Sequence, residues 1–173
     1  QFNHQNQTFT RYQYDPDKPD SLSNNTVSSI YQDNQGMFWL GTEGGLNQFN
    51  PTKQSFTHYR EKDGLSNDTV YAVSGDESGK LWLGLTDGIS LFDPLTASFK
   101  NHIGAQTHCG ANYDAAFKAA DGQLFFAAQG YCAFYPENVI LPSQPPRLVL
   151  TNFRLLNKTV PIASEHSLSP LTQ

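Results

Sequence analysis

The chain is sparing with residues that do chemistry. Its five histidines (His4, His58, His102, His108 and His166) are scattered along the sequence, and no two stand at a spacing that would let them share a metal ion. Asp15-Pro-Asp-Lys-Pro-Asp20 imitates the start of a calcium loop, but the glycine and the closing glutamate such a loop needs are missing, so the stretch reads as a solvated turn. No Gly-x-Ser-x-Gly elbow, phosphate-binding glycine loop or His-Glu-x-x-His pair occurs. The sequence therefore predicts no catalytic residue, no metal and no cofactor. What it offers instead is amide and hydroxyl side chains gathered in short polar segments, Leu22-Ser-Asn-Asn-Thr26 and Leu65-Ser-Asn-Asp-Thr69, and two cysteines, Cys109 and Cys132.

Those polar segments recur, and the recurrence fixes the elements that must hold them. DNQGMFWLGTEGGLNQFNP (33–51) returns as DESGKLWLGLTDGISLFDP (76–94), with Gly36 and Gly79, Trp39 and Trp82, Gly41 and Gly84, and Pro51 and Pro94 each 43 residues apart. Leu22 and Leu65 keep the same step upstream. A worn third copy follows, in which Gly122 and Leu124 hold the step from Gly79 and Leu81 while Phe125 and Ala127 replace the tryptophan and its glycine. A period in the low forties made of short apolar runs and turns is the length of one four-stranded propeller blade.

Each copy can be parsed strand by strand. Val27–Tyr31 and Val70–Val73 are β-branched and aromatic runs suited to an inner strand, followed by an Asp-x-x-Gly turn. The second strands, Met37–Thr42 and Lys80–Leu85, are apolar on both faces, as stacked sheets require. Third strands end at Asn50-Pro51 and Asp93-Pro94, because proline has no N–H for the ladder, and Ser55–Tyr59 and Ser98–His102 are the fourth strands. The expected fold is all-β: a partial propeller of about three four-stranded blades, an arc of a larger, seven-bladed ring. A full ring would need on the order of 300 residues, so about half is present in the 173. The tryptophans have two readings, a sugar-stacking platform or the packed centre of a blade, and use once per repeat favours the second.

Composition excludes other classes. The net charge is −5 and only 16% of residues are charged, below the usual ~25%, with no basic stripe to neutralise a phosphate backbone; nucleic acid is not an expected partner. No apolar run is long enough to cross a bilayer, so this segment is expected to make no membrane contact.

Residues 22–49, with Leu-Ser-Asn followed by Val-x-x-Ile-x-x-Asp-x-x-Gly-x-x-Trp-x-Gly-Thr-x-x-Gly-Leu-x-x-Phe, resemble the repeat of the two-component regulator propeller family, and the second copy resembles it equally. Phe134-Tyr-Pro-Glu-Asn-Val-Ile140 and Pro145–Phe153 are similar to the passage from a last blade into an immunoglobulin-like Y_Y_Y domain. On that basis residues 1–13 are outer strands of a preceding blade, 14–60 and 61–103 are blades, 104–141 is a degenerate last blade, and 142–173 are a proline-rich linker and the start of the next domain. The resemblance implies a periplasmic sensor region of a bacterial membrane signalling protein, whose histidine kinase or diguanylate cyclase output is not in this chain. It also implies an oligosaccharide or other small periplasmic nutrient as ligand. The alternatives are a propeller lyase or glycosidase acting on polysaccharide, and a propeller used only for protein interaction.

Ligands of propellers gather over the axial channel, at the loops leading into the inner strands. Here those loops present Asn24, Asn25, Asn67, Asp68, His108 and Asn112 as candidate ligand contacts. A competing reading makes Asn24 and Asn67, which recur, turn caps that bond their own backbone. Cys109 and Cys132 both fall in the third copy and toward the same face, and an oxidising periplasm permits a disulfide between them; the competing reading is two separate small hydrophobes. Expected partners are thus a small ligand, the remaining blades and the Y_Y_Y domain, and a second copy of the fragment, since an arc leaves apolar sheet faces open.

Overall fold

The computed structural model describes residues 1–101, 115–128 and 130–139, with two further short strands at 153–155 and 158–160. His102, His108, Cys109 and Asn112, the 142–146 linker and His166 lie outside the described residues. The chain divides into two compact units, residues 1–141 and 142–173. In the second, β14 (Phe153–Leu155) pairs antiparallel with β15 (Lys158–Val160).

The first unit is a series of antiparallel meanders. A two-stranded hairpin, β1 (Phe2–Asn3) and β2 (Thr8–Phe9), comes first. The first sheet runs β3 (Val27–Gln32), β4 (Phe38–Thr42), β5 (Gly45–Asn50) and β6 (Ser55–Tyr59), in that spatial order. The second runs β7 (Val70–Gly75), β8 (Leu81–Leu85), β9 (Gly88–Asp93) and β10 (Ser98–Lys100). Among the described residues the third has three strands, β11 (Ala115–Lys118), β12 (Leu124–Ala128) and β13 (Gly130–Phe134). The three leading strands lie beside one another, β3 against β7 and β7 against β11, as the inner strands of neighbouring blades do. This is the partial propeller that the 43-residue repeat predicts.

Two cores form between sheets, not within them. Trp39 and Leu46 of the first sheet pack with Val70, Val73, Leu81, Leu83 and Phe92 of the second. Ala72, Trp82, Ile89 and Leu91 on the second sheet's other face meet Leu124 and Phe126 of the third. Both tryptophans are buried, which settles their role as blade centres over an exposed stacking platform.

The turn after each leading strand shows why its glycine recurs. Gly36, Gly79 and Gly122 have φ of 80°, 80° and 87°, a left-handed conformation that costs an L-side chain roughly 1–2 kcal/mol. The third copy departs at its next turn: Leu85 pairs with Gly88 across two residues, whereas Ala128 pairs with Gly130 across one. From there the third copy runs one residue short, so Phe134 takes the place of Phe92 opposite the leucine of the middle strand.

The leading hairpin is built like the outer hairpins of the two complete sheets. Phe2 pairs with Phe9 and Asn3 with Thr8, as Phe49 pairs with Phe56 and Asn50 with Ser55. Gln7 has φ of 54°, Gln54 54° and Ala97 52°, at the same point of each turn.

Candidate functional site

The loops entering β3 and β7 are held from beneath. Leu22 is buried with Phe49 and Phe56, and Leu65 is buried in the core between the first two sheets. Next to Leu22, the Ser23 N–H donates to Asn47 Oδ1 at 2.9 Å, and the Asn47 amide donates back to Ser23 Oγ at 2.7 Å and to Thr42 Oγ1 at 3.2 Å. Asn47 and Thr42 are fully buried, so leaving either unpartnered would cost about 1–3 kcal/mol. The Ser of each Leu-Ser-Asn is accordingly a structural residue. In the second copy Ser66 Oγ lies 3.4 Å from Ser90 Oγ, which donates on to Asn101 at 2.8 Å.

Above this layer stand the candidate ligand contacts. Asn24 Oδ1 accepts the Thr26 N–H at 2.7 Å and Asn67 Oδ1 accepts the Thr69 N–H at 2.8 Å, the same two-residue turn in both copies. Their carbonyl oxygens cap the turn, and among the described residues the amide nitrogens donate no hydrogen bond. Asn25 Oδ1 accepts the Tyr14 N–H at 2.9 Å, while Asp68, its equivalent one step on, accepts the Glu61 N–H at 2.7 Å. The Asp68 carbonyl also accepts from Gly45 at 2.7 Å, tying the second loop to the first sheet. Asp68 is therefore both a loop clasp and a negative charge at the rim, and it shares its clasping role with the neutral Asn25. The structure brings Asn24, Asn25, Asn67 and Asp68 to the entrances of two adjacent inner strands; His108 and Asn112 are outside the described residues.

Cys132 sits on β13 opposite Phe126 and packs against the second core. Its proposed partner Cys109 lies outside the described residues. Mass spectrometry of the protein expressed under oxidising conditions, without reduction, should find a peptide joining the two; two alkylatable thiols would end the proposal.

Sequence reasoning missed a second function of the Asp-x-x-Gly turns. Asp33 Oδ1 accepts the N–H groups of Gln35 and Met37, and its Oδ2 accepts the Trp39 indole N–H at 2.7 Å. Asp76 repeats this with Ser78, Lys80 and the Trp82 indole at 2.9 Å. The signal was available, because the third copy loses both members together: Ala119 stands for the aspartate and Phe125 for the tryptophan. There Asp121 takes over the turn, accepting from Gln123 N–H and from the Tyr135 hydroxyl at 2.9 Å. Those two bonds hold the Asp121 carboxyl below its ordinary value.

At this opposite end of the inner strands, Asp76, Glu77, Lys80, Asp121 and Glu137 border a cleft of about 450 Å³ between the second and third sheets. Lys118 pairs with Glu77 at 2.6 Å. Among the described residues no group of three or more His, Cys, Asp or Glu is placed to hold a metal ion.

Residues 21–44, the first of these loops with the first two strands behind it, match the two component regulator propeller family. The extracellular domain of a protein described as a hybrid two component system from B. thetaiotaomicron is similar over 80% of this chain, with 25% identity and a TM-score of 0.70. The extracellular domain of a protein described as a one component system from the same organism is similar over 80% of the chain, at 19% identity and a TM-score of 0.66. The chain spans only 19% and 20% of those two structures. No curated protein sequence matches it. Among the described residues no helix is long and apolar enough to cross a membrane.

Proposed function

We propose that this chain is part of the extracytoplasmic sensor region of a bacterial signalling protein, lying in the periplasm, and that it binds a ligand without transforming it. The observation that carries this reading is the regulator propeller match over residues 21–44, which falls on the rim loop that holds Asn24 and Asn25. The similarity to two extracellular domains of signalling proteins supports it. The ligand class is a small polar molecule, with an oligosaccharide first among them: free amide N–H groups at Asn24, Asn25 and Asn67 suit hydroxyl and ring oxygens, and Asp68 adds a strong acceptor for sugar hydroxyls. His108 and Asn112 complete the proposed set from the third copy. Signal output through a kinase or cyclase belongs to the rest of the parent protein.

The test is calorimetric titration with a panel of neutral and acidic oligosaccharides, for the chain and for an Asp68→Asn/His108→Gln double variant. A bound sugar should lose at least about tenfold in affinity in the variant, about 1.4 kcal/mol. Unchanged affinity removes this face from consideration. New reducing ends appearing in the same panel would favour the lyase or glycosidase reading instead.

A further inference from the structure

The connection into β3 is longer than the one into β7. Nine residues separate Tyr12 from Leu22 and five separate Tyr59 from Leu65, although both tyrosines follow an outer hairpin and pack on the next sheet's phenylalanine, with ring centroids 4.8 and 4.7 Å apart. Length alone would mean little, because a surface loop lengthens at small entropic cost. What sets this loop apart is that it is tied down along its length. The Asp15 carbonyl accepts the Lys18 N–H and the Ser21 hydroxyl, each at 3.1 Å, and the Asp15 N–H donates to Ser21 Oγ at 3.0 Å. The Asp20 carbonyl accepts the Phe56 N–H at 2.9 Å, and Pro16 and Pro19 restrict the backbone between these ties.

Between this loop and the β5–β6 hairpin lies a cleft of about 490 Å³, bordered by Arg11, Gln13, Tyr14, Lys18, Asp20 and Gln54 among others. That volume is within the roughly 300–1,000 Å³ range of small-molecule sites. In the short loop the polar groups close on one another: the Arg60 and Glu61 N–H groups donate to Asp63 and Asp68, and Arg60 Nε donates to the Gly44 carbonyl. In the long loop the side chains of Arg11, Gln13, Tyr14 and Asp20 make no hydrogen bond or ion pair among the described residues. Arg11 and Gln13 bring donors, Asp20 brings an acceptor, and the Tyr14 ring, 47% exposed, brings a flat apolar face. Lys18 is paired with Asp15 at 3.5 Å, so with Arg11 and Asp20 the lining carries as many cations as carboxylates.

We propose that this cleft is a subsite for one ring of a neutral oligosaccharide, stacked on Tyr14 and hydrogen-bonded by Arg11, Gln13 and Asp20. That the ligand is an oligosaccharide rests on the reading above; the cleft adds a second region of contact and with it a preference for longer chains. A sugar ring presents C–H groups on its faces and hydroxyls that both donate and accept around its edge, which an aromatic face flanked by donors and an acceptor matches. The balanced charge of the lining favours a neutral ring over a uronate. Cleft and rim are joined directly, because the Tyr14 N–H donates to Asn25 Oδ1 at 2.9 Å. A chain of sugars that touches Asn25 on the rim therefore continues onto Tyr14.

The test is calorimetric titration of the chain with cello-, xylo- and malto-oligosaccharides of increasing length, repeated for Tyr14→Ala, Tyr14→Phe and the Asp68→Asn/His108→Gln rim variant. Tyr14→Ala should weaken the longest sugar that binds by at least about tenfold and leave the shortest one unchanged, while Tyr14→Phe, which keeps the ring, should hold the parent's affinity to within about threefold. The melting temperature of Tyr14→Ala should match the parent's, since the bond to Asn25 uses the backbone. Parent affinity at every length in Tyr14→Ala, with the rim variant weakened, overturns the subsite and leaves the rim reading standing. The reverse pattern removes the rim and keeps the cleft. Equal losses for short and long sugars in Tyr14→Ala would assign Tyr14 to the rim and overturn a separate subsite, and a panel in which no sugar binds overturns both readings.

Discussion

Replacing Trp39 by alanine is expected to cost about 3–5 kcal/mol of folding stability, read as a fall in the urea midpoint. The indole is 1% exposed and stands edge-on to Phe92, with ring centroids 5.6 Å apart, so its loss opens a cavity in the contact between two sheets. Trp39→Phe separates packing from hydrogen bonding. It refills much of the space but leaves Asp33 Oδ2 without the indole N–H that now lies 2.7 Å away, for an expected loss of about 1–3 kcal/mol. Adding Asp33→Ala to Trp39→Phe should then cost less than the two single changes summed, by about 0.5 kcal/mol or more. The pair Ala119 and Phe125 in the third copy shows that the fold accepts the double loss. A Trp39→Ala protein within 1 kcal/mol of the parent would show that this residue is not the centre of the blade.

Much of the architecture was legible because a repeat announces the same physical problem several times. Val, Ile and Tyr before Asp-x-x-Gly can only be an apolar strand entering a tight turn, and its return after 43 residues demands a stack of similar sheets. The role of Asp33 was hidden by its other one. An aspartate opening a turn is explained by the turn alone, and only its disappearance alongside the tryptophan marks a bond between side chains six residues apart. The missing residue between Ala128 and Gly130 was hidden for a related reason: the apolar residues on either side still alternate, and the register appears only when Phe126 is seen opposite Cys132.

The candidate site was less legible. Asp68 stands where the first copy has Asn25, and both side-chain oxygens accept a preceding backbone N–H, at 2.7 and 2.9 Å. A change of residue type between repeats marks a function only if the conserved duty does not explain it, and here the duty accounts for the oxygen but not for the charge. Asn24 and Asn67 show the reverse. Their identity across copies is explained by the turn cap, and their amide nitrogens remain available all the same. Backbone capping and ligand binding use different atoms of one side chain, so neither reading excludes the other.

Gly41→Ala is expected to destabilise the chain by about 1–3 kcal/mol, through a contact no side chain can relieve. A methyl group at Gly41 would lie 2.7 Å from the Val70 carbonyl oxygen, 3.1 Å from Val70 Cγ1 and 3.3 Å from the Val70 carbonyl carbon. Two of those three atoms belong to the backbone of β7, so the first and second sheets must move apart for the methyl to fit, and Trp39, two residues away on the same face, loses contact as they do. Trimming the flexible partner should not help: Gly41→Ala combined with Val70→Ala is expected to be less stable than either single variant. Gly79→Ala provides the contrast, since its φ of 80° is strained for alanine but nothing lies within 4 Å of the added carbon. Its loss of roughly 1–2 kcal/mol should leave the contact between the sheets intact. In the third copy Ala127 occupies the position of Gly41 and is exposed, so its methyl meets no such backbone. Hydrogen exchange can tell the two kinds of damage apart: Gly41→Ala should speed exchange in β4 and β7 together, whereas Gly79→Ala should act at its own turn. A Gly41→Ala protein within about 0.5 kcal/mol of the parent would mean that the sheets are not held at the separation this glycine permits.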